Sequence, residues 1–151
     1  MVVGRPCGSL PREVVGGMRW AIGGFLVLHG LGHSMGVLGA WTKVEVGFTD
    51  RPWILPGEIS VRGPVGRAWA LLWLVAIVAW VAAGLGVISD QDWWQPLAAV
   101  GAVASLLAIV PWWNTVPAGA RLGGAIVDLV AIGVLAGPWR ETLIERFLAG
   151  G

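Results

Sequence analysis

Four long apolar runs dominate this chain of 151 residues and leave few folds open to it. They cover residues 20–40, 67–88, 96–113 and 121–138. A helix needs roughly 20 apolar residues, with a range of about 17–25, to cross the hydrocarbon core of a bilayer. None of the runs alternates polar and apolar residues as the strands of an outer-membrane barrel do. The pattern therefore predicts an all-α integral membrane bundle of four transmembrane helices.

The composition excludes several classes of soluble protein. Charged residues make up 13% of the chain and apolar residues 56%, whereas an ordinary soluble domain carries roughly 25% charged residues. So few charges cannot cover the surface of a soluble domain of this size. With 10 basic against 9 acidic residues, the chain has no basic field for a phosphate backbone, so we expect no nucleic-acid partner. The single cysteine, Cys7, cannot form an internal disulfide.

Tryptophan marks the borders of the apolar runs independently. Eight of the eleven tryptophans lie near a predicted border, as an aromatic belt at a membrane interface would place them: Trp20, Trp41, Trp69, Trp93, Trp94, Trp112, Trp113 and Trp139. We therefore expect a multi-pass protein of a cell membrane whose main partner is the lipid bilayer. A homo-oligomer or a larger membrane complex is left open.

The apolar runs divide the chain into three parts. We expect a disordered N-terminal tail at residues 1–18, a transmembrane domain at 19–139 and a short polar C-terminal tail at 140–151. Met18 is an alternative start of the chain. One long irregular loop, 41–66, joins the first two helices. Alternation over residues 43–48 favours a short hairpin-like strand in it. Loops of this length often carry function, although a slack connection is the alternative.

The orientation in the membrane is left open by the basic residues. Four spans place both termini on one side, and the two sides carry five basic residues each: Arg5, Arg12, Arg19, Arg140 and Arg146 against Lys43, Arg51, Arg62, Arg67 and Arg121. Equal counts give no decision under the positive-inside rule. A start at Met18 leaves three against five and favours a cytoplasmic long loop. We favour cytoplasmic termini, because that rule counts long loops poorly.

Two histidines lie within the first run. His29 and His33 are four residues apart and share a helix face with Gly36 and Ala40. Small residues let another helix approach closely, and polar groups at membrane depth usually face the interior. Both imidazoles are therefore predicted to point into the bundle, where they form structural hydrogen bonds, a proton or ligand site, or part of a metal site.

Metal binding is the least favoured of these three interpretations. Histidines at this spacing can hold one metal, as in the H-E-x-x-H motif, but Gly30 occupies the position of the general-base Glu. A third ligand would have to come from elsewhere in the chain. We therefore assign no metal, with His29 and His33 as the candidates if one is bound, and we leave the cofactor unassigned.

Asp128 is the only acid well inside a predicted span. An intramembrane carboxylate is a functional candidate by default. Its expected partner is protonated His29 or His33. The other candidate is Arg121, which lies nearer the membrane edge, one turn beyond Gly124 on the same side of the helix. The alternative is a plain hydrogen bond between helices. In the second helix, Trp73 and Trp80 lie deeper than an aromatic belt requires. They either line an apolar pocket for a lipid or quinone, or simply pack or face lipid.

The segment Leu28-His29-Gly30-Leu31-Gly32-His33 resembles part of a known group of proteins. Small, uncharacterised four-span bacterial membrane proteins carry Leu-His-Gly-x-x-His in the first helix. Their polar loop and Trp-containing second helix are similar to the part of this chain that holds Gly57, Ser60 and Trp69. The resemblance covers about residues 20–115. It implies a four-span fold in a bacterial inner membrane, and no activity.

Three functions remain open from the sequence. The first is a polar intramembrane site of His29, His33 and Asp128 that handles protons or binds a small or lipid-soluble ligand, with Trp73 and Trp80 beside it. The second is a small membrane enzyme that acts on a lipid-soluble substrate, with His33 or Asp128 as acid–base. The third is a non-catalytic accessory subunit of a membrane complex, in which the histidines only pack.

Overall fold

The computed structural model describes residues 11–49, 53 and 59–148, without the side chain of Arg12. These residues form helices and no strand, which confirms the all-α prediction for this part of the chain. The helices are α1 Arg12–Gly32, α2 Ser34–Trp41, α3 Pro64–Ile88, α4 Trp94–Ile109, α5 Ala118–Ala136 and α6 Arg140–Phe147, with a 3-10 turn at Val110–Trp112.

Four helical stretches are long and apolar enough to cross a membrane. They are Glu13–Trp41, Pro64–Ile88, Trp94–Trp112 and Ala118–Ala136, one for each predicted run. The start of α3 shows how a local residue sets a helix end. Pro64 occupies the first turn of α3, where its fixed φ suits a helix and its missing N–H costs nothing.

The first candidate span is made of α1 and α2, which meet at His33. The backbone N–H of His33 donates to the carbonyl of Gly30 at 3.1 Å, and the N–H of Gly36 donates to the carbonyl of His33 at 3.0 Å. Bonds three residues apart belong to the tighter 3-10 geometry. The span therefore contains one tight turn, at the position of the second histidine.

Small residues set the distance between the first span and α3. A Cβ atom built on Gly23 would lie 2.6 Å from the carbonyl oxygen of Gly84, and one built on Gly36 would lie 2.1 Å from the ring of Trp73. Ala40, on the same predicted face as Gly36, is buried. The helices are thus in contact at a distance that only small residues allow, as the sequence predicted.

Two buried clusters fill the interior. One surrounds Trp80 and the other surrounds Trp73 and Trp112, and alanines occupy most of the facing positions. The outward faces carry large exposed apolar side chains, among them Leu28, Val78 and Leu129. An apolar exterior of this kind fits a lipid environment better than water.

The predicted N-terminal tail is wrong from Arg12 onward. Residues 12–18 are the first turns of α1, because Pro11 supplies an extended N-cap and Glu13 complements the helix dipole. Val15 is buried at 4% exposure. The next turn is held by Arg19, whose Nη2 lies 2.7 Å from Asp90 Oδ1 and whose Nε donates to the Leu148 carbonyl at 2.6 Å. Residues 1–10 lie outside the described part.

Two further local predictions are wrong. Residues 43–48 form no strand. Gly47 adopts a φ of 75°, which interrupts the extended segment, and the N–H of Thr49 donates to the Thr115 carbonyl at 3.0 Å instead of to a second strand. The C-terminal segment is not simply a polar tail, since its residues 140–147 form α6. The apolar side chains of α6, including Leu143, Ile144 and Phe147, turn inward.

Candidate functional site

The structure brings His29 of α1 and Asp128 of α5 into contact. Nε2 of His29 lies 3.2 Å from Oδ1 of Asp128, which is hydrogen-bond distance. The Asp128 side chain has 0% exposure, so this contact is made in the interior. Arg121, the other expected partner, lies elsewhere: its Nη1 donates to the Trp113 carbonyl at 2.6 Å and its guanidinium covers the Trp113 ring.

A serine that the sequence analysis missed completes the contacts of Asp128. The hydroxyl of Ser105, on α4, donates to Oδ2 of Asp128, and both side chains are fully buried. Ser105 is the sole hydroxyl residue of the run 96–113. An isolated hydroxyl in the middle of an apolar run was the signal that could have revealed it.

His33 lies beside this pair but is bonded differently. Its ring meets the His29 ring edge to face, with centroids 4.9 Å apart and planes at 80°. The residue is 7% exposed, and its Nε2 has no hydrogen-bond partner among the described residues. A buried polar atom without a partner costs about 1–3 kcal/mol. This nitrogen therefore marks a place where the site has an unused donor or acceptor.

The two deep tryptophans of α3 both reach the site. The Trp80 ring meets His29 edge to face at a centroid distance of 5.0 Å. The Phe25 ring lies nearly parallel to the same imidazole, with centroids 6.3 Å apart. Trp73 lies two turns nearer the start of α3, against Gly36, and lines a cavity together with both histidines.

That cavity opens between the first span and α5. Its volume is about 190 Å³, and its walls include His29, His33, Trp73, Phe48 and Gly124. Pockets for drug-sized ligands measure about 300–1,000 Å³, and one water occupies about 30 Å³ in the liquid. The cavity therefore suits a few waters, an ion or a very small molecule.

An apolar groove lies on the other side of the His29–Asp128 contact. It has a volume of about 450 Å³ and is walled by α1, α5 and α6, with Trp80, Trp94 and Ala98 at its base. Phe25 and Trp80 line it, and both also touch His29. A polar cluster thus separates a small cavity from a larger apolar groove.

The cluster contains the side chains for proton transfer, ligand binding or metal binding. One donor atom each from His29, His33 and Asp128 lies within 4.8 Å of the others, so Asp128 offers the third candidate donor that the histidine spacing lacked. Comparisons with known proteins found no matching family model, no matching curated protein and no matching solved structure. The function is therefore argued from this geometry.

Proposed function

We propose that the chain is a small multi-pass membrane protein with a polar site at membrane depth, where His29, His33 and Asp128 handle protons or bind a small ligand. The observation that supports this most directly is the unpartnered Nε2 of His33. It lies beside the bonded His29–Asp128 pair, and both histidines line the cavity. Buried histidine nitrogens that only join helices are generally hydrogen-bonded, and of the unpartnered buried atoms among the described residues His33 Nε2 is the one that belongs to the cluster of titratable groups.

The free-energy cost of inserting Asp128 into a membrane supports the same proposal. A central Asp costs about 2.5–3.5 kcal/mol on the biological insertion scale. Interhelical hydrogen bonds average only about 0.6 kcal/mol each, so its contacts with His29 and Ser105 offset about 1.2 kcal/mol. At this average strength, structural bonding leaves much of the insertion cost uncompensated, whereas two bonds at the maximum of about 1.7 kcal/mol each would offset it.

The cellular setting is part of the proposal. The resemblance of residues 28–33 to small four-span bacterial proteins supports a bacterial inner membrane. Cytoplasmic termini remain the favoured orientation.

A second candidate is a small membrane enzyme that acts on a lipid-soluble substrate. The observation that favours it is the apolar groove, whose walls Phe25 and Trp80 also contact His29. A substrate with its apolar chain in this groove would hold its polar end near His29 and Asp128, where imidazole and carboxylate could transfer a proton.

Nitrogen NMR of the imidazoles tests the main proposal. The chain has only two histidines, so ¹⁵N-histidine labelling in lipid nanodiscs gives two signal sets, which a His33→Leu variant assigns. We expect the signals of the two imidazoles to change together between about pH 3 and pH 9, because interacting groups share their titration steps. Replacing Asp128 by Asn should alter these changes. Imidazole signals that stay constant over the whole range would support the accessory-subunit interpretation instead.

A further inference from the structure

We infer that His29, His33 and Asp128 form a binding site for a divalent first-row transition-metal ion, with two imidazole nitrogens and one carboxylate oxygen as ligands. The inference rests on the proposed function, because it names the ligand of the same site. The donor atoms of these side chains come from α1, from the α1–α2 junction and from α5, and lie within 4.8 Å of one another.

The distances are close to those that a metal requires. Bonds from zinc to imidazole and carboxylate measure about 2.0–2.2 Å, so donors in a tetrahedral arrangement lie about 3.4 Å apart. His29 Nε2 and Asp128 Oδ1 are already 3.2 Å apart. The other donor separations are at most 4.8 Å, so the third donor has to approach by up to about 1.4 Å to reach that spacing. Nε2 of His33 breaks no hydrogen bond when it moves, since it has no partner among the described residues.

The types of donor select the class of ion. Imidazole and carboxylate together suit zinc, iron and cobalt as divalent ions. Calcium takes 6–8 oxygen ligands, and magnesium demands near-octahedral oxygen coordination with several waters. One carboxylate and two imidazoles in an apolar surrounding supply neither.

The surroundings also match those of a metal with an open position. Three protein ligands leave room for a water or a small ligand on the ion, and the cavity of about 190 Å³ lies where His29 and His33 face it. A hydroxide there, together with Asp128, would neutralise a dication. Ser105 donates to the second oxygen of Asp128, as an outer hydrogen bond that orients a ligating carboxylate does.

Cobalt binding to the full chain in nanodiscs tests the inference. The protein carries a purification tag without histidine and a Cys7→Ser background, is stripped with a chelator, and is titrated with Co²⁺. We expect one Co²⁺ per chain, with visible absorption bands that one equivalent of Zn²⁺ abolishes. His33→Leu and Asp128→Asn should each weaken binding at least 100-fold.

Two further variants serve as controls. Asp90→Asn removes an exposed acid that pairs with Arg19 far from the site, so it should leave Co²⁺ affinity unchanged. Ser105→Ala keeps all three ligands but loses the outer hydrogen bond, and it should weaken binding about 10–100-fold without altering stoichiometry. This variant keeps the test decisive if a ligand variant fails to fold, as judged by its circular dichroism and elution profile.

The possible results separate this inference from the proposed function. The metal site is overturned if no Co²⁺ binds. It is also overturned if His33→Leu and Ser105→Ala both bind Co²⁺ as strongly as the wild type. Coupled imidazole titration in metal-free protein would then leave the proposed function standing. If the imidazoles also fail to titrate, both proposals fall together.

Discussion

Asp128 connects three helices through one buried side chain. One of its oxygens lies against His29 of α1, and the other accepts the hydrogen bond from Ser105 of α4, while the residue itself belongs to α5. Within the described residues, only Ala125 and Asp128 of α5 are buried, and Asp128 is fully so. The carboxylate therefore ties α5 to both α1 and α4, in addition to the apolar contacts of α5 with the cluster around Trp80.

A double-mutant cycle measures how strongly Ser105 and Asp128 interact. We expect Ser105→Ala and Asp128→Leu to show a coupling of about 0.6–1.7 kcal/mol, the range from the mean to the maximum for hydrogen bonds between membrane helices. The measurement is the free energy of unfolding in mixed micelles titrated with denaturing detergent. Strictly additive effects would mean that the two side chains do not interact in the folded protein.

Leucine at the three polar positions separates insertion from function. Asp128→Leu removes an insertion cost of about 2.5–3.5 kcal/mol, so α5 should insert at least as efficiently as in the wild type. His29→Leu and His33→Leu should also insert normally. Insertion is read by a reporter placed after residue 136, with Val130→Leu, an exposed position, as the matched control.

The same variants test whether any polar side chain is needed. At least one of the three should fail to complement a deletion of the gene despite normal insertion. Full complementation by all three would contradict the functional site and favour an accessory subunit.

The sequence predicted part of this site and could not predict the rest. Spacing placed His29 and His33 on one face, and isolation within an apolar run identified Asp128. The contact between His29 and Asp128 was one of the alternatives that the sequence left open, and it could not be chosen over Arg121 because no local rule says which face of α5 turns toward α1. Ser105 was missed because serine is common in apolar helices and bonds its own backbone as readily as another helix.

At the scale of elements, the contact between α1 and α3 depends on backbone proximity. Gly23 and Gly84 face each other so closely that a Cβ atom on either would meet the carbonyl oxygen of the other, at 2.6 Å and 2.5 Å. Backbone atoms cannot rotate away as a side chain can. The two helices thus have a fixed separation at this level.

Two adjacent glycines of α1 offer a matched test of this contact. Gly23→Ala should destabilise the protein by about 1–3 kcal/mol, the usual cost of overpacking. Gly24→Ala meets nothing within 4 Å, and it should be neutral or stabilise by about 0.5–1 kcal/mol through helix propensity. Thermal unfolding in detergent compares the two. Equal midpoints would show that the helices are not held this closely.

Removal of the residues before Met18 tests the start of α1. A chain that begins at Met18 keeps Arg19, which pairs with Asp90, so it should insert and purify like the full chain. It should nevertheless unfold at a lower temperature, because the buried side chain of Val15 is lost. Val15→Ala in the full chain is the control and should reproduce part of this loss. Failure of the shortened chain to insert would give residues 1–17 a larger role.

Apolar length predicted the number of candidate spans and most of their borders, since length and hydropathy alone decide whether a helix can cross a bilayer. Two helical segments were missed for a different reason. The segment 12–18 and α6 are too polar and too short to be recognised by length. They become helical where they contact the rest of the fold, through Val15 in one case and Leu143 and Phe147 in the other.

At the scale of the whole molecule, α5 stands apart from α1 over most of its length. The cavity and the groove both lie between these helices, on either side of the His29–Asp128 contact. α3 and α4, by contrast, pack directly on each other around Trp80. The fold therefore combines a tightly packed body of α1, α3 and α4 with α5, which packs on α4 and meets α1 at the His29–Asp128 contact.

An even number of spans places both ends of the chain on one side. Reporter fusions at residues 18 and 151 should therefore give the same location. Fusion at residue 43, in the loop that follows α2, should give the opposite one and serves as the control. Opposite locations for residues 18 and 151 would mean that one candidate span does not cross, and α5, which contains Asp128, would be the first to examine.

The apolar groove beside His29 makes the bilayer the solvent for any molecule that enters from that side. Such a molecule arrives from the hydrocarbon phase. Its concentration at the groove is therefore its amount per volume of lipid, which depends on how it partitions between lipid and water. Extra vesicles at constant solute would lower occupancy by dilution, whereas extra buffer would leave occupancy of a strongly apolar solute almost unchanged. Affinities for ligands of this groove therefore have to be expressed as mole fractions in the lipid.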